Sequence, residues 1–351
     1  MISLCMIVKN EEETIEKSLE SVKGLVDEII IVDTGSVDRS KIIARKYTDK
    51  VFDFKWNNNF AEARNYALSK VSNEWVLILD ADEIITKYNK ESIENFCSKY
   101  KETVGRMERT NYYEDKFGVK KYIERVNRFF NVNYFLYEGI IHEQVTCKKK
   151  IRYSTENIDI YVDHIGYSKE VIHKTNKITR NIELLKLAIE SSKNDPYLYY
   201  QLGKSYFMGK SYDNAYKNFS KALVLIREFN YEYIEDLIEC YGYSMINLGL
   251  YEESMRLYEY EKYYKNSPDY LFLMALIEMN NGNFQRAAET FLSCTKYKLG
   301  KVEGVTSFLP LYNIGGIFQC LGFEEEARSY FEMCGEYIPA LRRLNELSKK
   351  V

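Results

Sequence analysis

No apolar run in the chain approaches the length of a bilayer span, so a membrane-crossing helix is not expected. The first apolar stretch, Ile2 to Val8, is also too short for a signal peptide and has no basic region before it. The seven cysteines are odd in number and lack CxxC spacing, which excludes a disulfide framework and a zinc ribbon and predicts a cytoplasmic protein. A net charge of −3 leaves no electrostatic footprint for nucleic acid, and Lys148, Lys149 and Lys150 form only a small local basic patch. There is neither a GxGxxG nor a Walker sequence, so a dinucleotide fingerprint and a P-loop are unsupported. No Gly/Ser/Pro-rich run marks a flexible linker, and only three histidines are present. At 351 residues, 46% hydrophobic and 29% charged, the chain is long enough for two folded domains.

The first half alternates between strand and helix signals. Apolar runs at Ile2–Val8, Glu28–Asp33, Val51–Phe54 and Trp75–Leu79 read as strands, and amphipathic stretches between them read as helices. Asn10 is expected to cap a helix opening at Glu11 and ending at Gly24. This order predicts a mostly parallel, Rossmann-like α/β sheet. Ligands then lie beyond the carboxyl ends of the strands, where Asp33, Asp80 and Asp82 fall. Acids at two strand ends without a glycine cradle suit a nucleotide held by base and ribose, its diphosphate on a metal. A nucleotide-free calcium site would look similar, although the glycine and glutamate offsets of an EF-hand are missing.

Four segments then occur in order: Val8-Lys9-Asn10-Glu11-Glu12, Asp33-Thr34-Gly35-Ser36-Val37-Asp38, Phe60-Ala61-Glu62-Ala63-Arg64-Asn65 and Leu79-Asp80-Ala81-Asp82-Glu83. Together they resemble the family-two glycosyltransferases of the GT-A fold, with a departure at Lys9, where the family usually has a tyrosine or a similar residue. The resemblance implies that Glu11 and Asp33 meet the uracil and ribose of a UDP-sugar, and that Arg64 lies near the nucleotide and its phosphates. It places Asp80 near ribose and metal and makes Asp82 the direct metal ligand. Hard oxygen ligands suit Mn²⁺ or Mg²⁺. Downstream, Arg128-Phe129-Phe130 and Gly139-Ile140-Ile141-His142-Glu143 resemble the acceptor side of this branch. Inverting transfer needs a base, for which Glu143 is the first candidate and His142 its rival. Asp163-His164-Ile165-Gly166-Tyr167 resembles the segment that closes the catalytic domain, which makes His164 a candidate metal or diphosphate ligand. His173 lies in a polar helical stretch and has no assigned role.

The second half repeats. Leu202-Gly203, Tyr206, Ala215, Phe219 and Ala222 fall on tetratricopeptide positions, as do Ile314-Gly315, Phe318, Ala327, Phe331, Cys334 and Pro339. Two degenerate units lie between them, with unit starts expected near 196, 235, 268 and 308. Small residues allow close helix approach and large rings fill the gaps, which accounts for much of the surplus of 32 tyrosines. The domains expected are 1–170 for the GT-A unit, 171–195 for a connecting helix and 196–351 for the repeats.

These readings predict a metal-dependent, inverting hexosyltransferase-type enzyme acting from a nucleotide sugar on a hydroxyl or thiol. The pairing with repeats resembles bacterial peptide and protein glycosyltransferases, including the bacteriocin S-glycosyltransferases, and motivates a polypeptide acceptor. Transfer to a lipid-linked or cell-surface glycan is the alternative within the class. A non-catalytic scaffold acting through its repeats is the alternative outside it, and homodimerisation is a second use for such an array.

Overall fold

The computed structural model describes residues 1–115, 118–165 and 171–349, with backbone alone at 113–115, 118–120 and 171–176. Gly166 and Tyr167 of the closing segment lie outside the described residues, as do the side chains of Tyr113 and His173. The chain divides into two compact units, one built from Met1–Glu114 with Val119–Glu170 and the other spanning Val171–Val351.

In the first unit, β1 (Ile2–Val8), α1 (Ile15–Ser21), β2 (Glu28–Asp33), α2 (Ser40–Ala44), β3 (Val51–Asp53), α3 (Phe60–Leu68) and β4 (Trp75–Ile78) alternate. They are followed by β5 (Glu83–Tyr88), α4 (Lys90–Lys99), β6 (Thr103–Asp115), β7 (Gly118–Asn131), β8 (Phe135–Glu138), β9 (Gln144–Cys147) and β10 (Ser154–His164). The main sheet has the order β3-β2-β1-β4-β7-β6-β10-β5. It is parallel across β3, β2, β1 and β4 and mixed beyond, because β7 runs antiparallel to β4 and β5 antiparallel to β10. The expected α/β architecture is thus present, with the order reversing direction at β1, where β2 lies on one side and β4 on the other. Separately, β8 and β9 form a two-stranded ribbon.

Strand alternation sends successive side chains to opposite cores. Leu4, Met6, Leu77 and Phe129 join Ile15, Leu19 and Phe96 on one face, while Cys5, Val76, Ile78 and Phe130 join Ala61, Ala67 and Tyr137 on the other. Both faces are covered, which is why the parallel strands read as unbroken apolar runs.

The entry into α1 differs from expectation. Asn10 is left-handed at φ +57°, and its Oδ1 accepts from the Val37 amide at 2.9 Å across the loop, so it is not available as a cap. The helix begins at Ile15, after a turn in which Glu11 O accepts from the amides of Thr14 and Ile15. The strand β5 had no expected counterpart, and β7 runs unbroken through Val126.

In the second unit α5 (Val171–Ser191) packs on α6 (Pro196–Met208), which forms a hairpin with α7 (Tyr212–Leu225). Next come α8 (Glu232–Asn247) and α9 (Tyr251–Ser254), a 3₁₀ segment Met255–Tyr260, and α10 (Glu261–Tyr264). Two further hairpins follow: α11 (Pro268–Asn280) with α12 (Phe284–Cys294), and α13 (Phe308–Cys320) with α14 (Glu324–Glu332). The last described helix is α15 (Ile338–Ser348). Helices α6, α11 and α13 start at the positions the repeat predicts, whereas α8 begins three residues earlier than its unit was expected to. That unit is irregular where the sequence signature fades, its second arm breaking into α9, the 3₁₀ segment and α10. The close-approach glycines have a direct partner: a Cβ on Gly203 would stand 2.6 Å from the Phe219 ring, and one on Gly315 2.7 Å from Phe331.

Candidate active site

Strand register brings the N-terminal motifs to one edge. Val8 and Asp33 are paired residues at the ends of β1 and β2, and β4 runs parallel on the other side of β1 towards Asp80. The first two motifs are tied together there. The Asn10 amide donates to Ser36 Oγ, the Glu11 amide to Ser40 Oγ and the Glu12 amide to Asp38 Oδ2. Asp33 is buried; its Oδ1 accepts from the amides of Gly35 and Ser36, both at 3.0 Å, while its Oδ2 is buried with no partner among the described residues. A buried carboxylate oxygen without a donor is costly, and an N–H or O–H from a bound molecule would satisfy it. Glu11 Oε2 accepts from Thr14 Oγ1 at 2.7 Å.

Helix α3 supplies the third motif. Asn59 caps it by accepting from the Glu62 amide, and buried Ala61, Ala63 and Ala67 bring it close to the sheet. Asn65 then takes both backbone groups of Tyr137, donating to its carbonyl at 2.8 Å and accepting from its amide at 2.9 Å, which pins β8 to the helix. Arg64, 6% exposed, spans two acids: Nη2 donates to Asp80 Oδ1 at 2.8 Å and Nε to Glu143 Oε1 at 2.5 Å. Its guanidinium lies 5.5 Å from the centre of the Tyr137 ring. Arg64 Nη1 and Tyr137 Oη are buried with no hydrogen-bond partner among the described residues. Burial pushes the Tyr137 phenol up to about 12.

The second oxygen of Asp80 accepts from Arg128 Nη2 at 2.9 Å. Burial disfavours the Asp80 anion, but Arg128 and Arg64 outweigh it and hold the carboxyl well below the usual carboxylate range. Each oxygen of Asp80 thus accepts from one guanidinium group. Asp82 is placed differently: its Oδ2 lies 3.1 Å from His164 Nε2 at the end of β10. His142 sits at φ +49° in the loop between β8 and β9, directly before Glu143. The second oxygen of Glu143 makes no hydrogen bond to the described residues.

Asp80, Arg64 and Glu143 are therefore in direct contact, and Asp82 and His164 form a neighbouring pair. Asp33 lies on the same sheet edge as these groups. Among the described residues no cluster of three His, Cys, Asp or Glu side chains is gathered in a form ready for a metal. Sequence reasoning quoted Arg128 and Glu83 within motifs without giving them a role, and passed over Arg109, Asn111 and Glu124. Glu83 is fully buried, accepting from Arg109 Nη1 at 2.7 Å and from the Asp80 amide at 2.9 Å. A signal for them exists: Arg109 with Asn111, and Glu124 with Arg128, recur at even spacing and so share one face of their strands.

The acids lie at the carboxyl ends of the parallel strands of an α/β sheet, where such domains hold their ligands. The family model for glycosyl transferase family 2 matches residues 3–164, and the N-terminal unit is a domain of that family with the GT-A fold. The chain is 26% identical over 240 residues to the SPbeta prophage-derived glycosyltransferase SunS of Bacillus subtilis (strain 168), covering 65% of this chain and 54% of that protein. It is 46% identical over 82 residues to the TPR repeat-containing protein Synpcc7942_0270 of Synechococcus elongatus, covering 23% of this chain and 20% of that one. The chain thus spans about half or less of the length of these curated relatives. Among solved structures, YrrB, a TPR protein with an unusual peptide-binding site, overlaps 52% of this chain and 88% of its own at a TM-score of 0.41 and 19% identity.

Proposed function

We propose that the protein is an inverting glycosyltransferase that moves a hexose-type sugar from a UDP-linked donor to a hydroxyl or thiol on a polypeptide. The observation that carries this reading is the gathering, in a glycosyl transferase family 2 domain, of Asp80, Asp82, Glu143 and His164 beyond the strand ends, with Asp33 on the same edge. The partnerless Oδ2 of Asp33 suits a donor on the nucleoside, and Glu11 lies in the loop tied beside it. Arg64 and Arg128 supply buried positive charge beside Asp80, where a diphosphate would be drawn.

A divalent cation, Mn²⁺ or Mg²⁺, fits Asp82 and His164. Asp82 Oδ2 and His164 Nε2, 3.1 Å apart, are the oxygen and nitrogen donors that would hold it. Bound there, it would neutralise the departing diphosphate. In the transfer step the acceptor O–H or S–H attacks the anomeric carbon, the bond to the diphosphate oxygen breaks, and the proton leaves for a base. Glu143 suits that role because Arg64 fixes one oxygen and leaves the other to accept the proton; His142, next in the chain, is the rival. The polypeptide acceptor is motivated by the helical hairpins, a scaffold type that binds peptide segments.

No helix among the described residues is long and apolar enough to cross a membrane. The test is UDP release from a panel of UDP-sugars with Mn²⁺, alongside calorimetry of UDP binding. Asp82→Ala should abolish metal-dependent turnover, and Glu143→Gln should keep UDP binding while lowering kcat about 10²–10⁴-fold. Turnover unchanged in Asp82→Ala would refute the metal assignment. No UDP binding by the unaltered protein would favour a scaffold.

A further inference from the structure

What the His164 ring presents to Asp82 is decided by the residues behind it. Asn111 Nδ2 donates to Glu124 Oε1 at 2.7 Å, which turns the amide so that Asn111 Oδ1 faces His164 Nδ1 at 2.8 Å. An oxygen acceptor at Nδ1 requires the hydrogen on that nitrogen. The neutral ring then carries its lone pair on Nε2, the atom 3.1 Å from Asp82 Oδ2. Two acceptors facing at that distance need either a proton or a metal cation between them. Glu124 is itself held: Arg109 donates to the same Oε1 from Nε at 3.2 Å and from Nη2 at 2.8 Å. Arg109 Nη1 reaches buried Glu83, whose other oxygen accepts from the Asp80 amide. The Asp82 carbonyl accepts from the Ile165 amide at 3.0 Å, which closes the path back to the segment that carries His164.

We propose that Asn111, oriented by Glu124 and Arg109, is a positioning residue that holds His164 as its Nδ1–H tautomer, so that the Nε2 lone pair stands beside Asp82 as a ready cation ligand. The cation part of this inference rests on the metal-dependent reading above, whereas the tautomer does not. Ligating histidines are commonly fixed through their second nitrogen, and loss of such a partner weakens metal binding about 10–100-fold.

The chain has only three histidines, so ¹⁵N-edited NMR of the metal-free full-length protein at alkaline pH resolves the tautomer of each. His164 should carry its hydrogen on Nδ1, and Asn111→Ala should lose that preference. In parallel, Mn²⁺ titration followed by electron paramagnetic resonance should show affinity falling about 10–100-fold in Asn111→Ala. Exchanging donor and acceptor, Asn111→Asp together with Glu124→Gln, keeps an acceptor at Nδ1 and should restore both readings. An Nε2–H tautomer in the unaltered protein would overturn the proposal. So would Mn²⁺ affinity unchanged in Asn111→Ala, or a folded exchange variant that restores neither reading. Absence of Mn²⁺ binding in the unaltered protein, with the Nδ1–H tautomer intact, would refute the metal reading and leave the role of Asn111 standing.

Discussion

In the N-terminal unit, Arg64, Arg109 and Arg128 take buried charge to Asp80, Glu83 and Glu143, while in the repeat array the buried space is filled mainly by rings seated over small residues. Phe219 lies against Gly203 and Phe331 against Gly315, and Leu273 and Leu257 crowd Gly242 in the same way. The array also buries charge, with Glu278 fully buried and paired to Arg286, and Glu239 buried beside Lys301, but its larger cores are apolar. The contrast shows where each unit is fragile. A charge network fails when one partner is removed, because the other is left uncompensated in a poorly solvated place. An apolar stack fails when its volume changes.

Both tryptophans, Trp56 and Trp75, belong to the first unit, so their fluorescence follows that unit, while far-UV circular dichroism is weighted towards the helices of the second. The largest stability effect is expected from Arg109→Ala, which leaves the fully buried Glu83 without its guanidinium and should cost about 3–5 kcal/mol in urea unfolding followed by fluorescence. A loss below about 1 kcal/mol would break the contrast, since surface pairs have that value. Next comes Gly315→Ala, whose Cβ would meet Phe331; it should cost about 1–3 kcal/mol in the dichroism signal.

The effect of pH should have opposite sign in the two units. Burial raises the Glu28 carboxyl, but hydrogen bonds from Lys50, Ser3 and Ser72 outweigh it and bring it from 4.5 down to about 2. With a folded value below the unfolded one, its contribution is present above about pH 4.5 and is lost as pH falls towards 2, which should appear in the fluorescence transition. Burial, reinforced by Asp236 and Glu235 against the opposing Lys301, pushes Glu239 up from 4.5 to about 8. Here the folded value is the higher one, so the array should lose stability as pH rises from about 4.5 to 8, seen as a falling midpoint in the dichroism transition. Parallel pH profiles for the two signals would show that these groups do not control either unit.

Much of the fold was legible because its signals are local. The strands β1 and β2 and the helix α3 follow from apolar runs and spacing, and the helix starts at Pro196 and Pro268 follow from the repeat with proline in the first turn. Asn10 misled for a local reason too: it is a good cap by type, and only its left-handed backbone and the bond to Val37 reveal that the side chain is used elsewhere. The motifs also put Asp33, Asp80 and Asp82 at strand ends, since strand direction in a right-handed α/β alternation is set by chain order.

Which side chains meet was decided by tertiary structure alone. Asp82 and His164 come together because β10 returns to pair with β5 and β6, a sheet order that periodicity does not specify. The same order lines Asn111 and Glu124 behind His164 and sets Arg128 beside Asp80. Local chain preferences act over a few residues, whereas these contacts depend on long-range strand placement. The sequence by itself therefore determined the elements and the acids at their ends, and the tertiary structure decided which charge each acid faces.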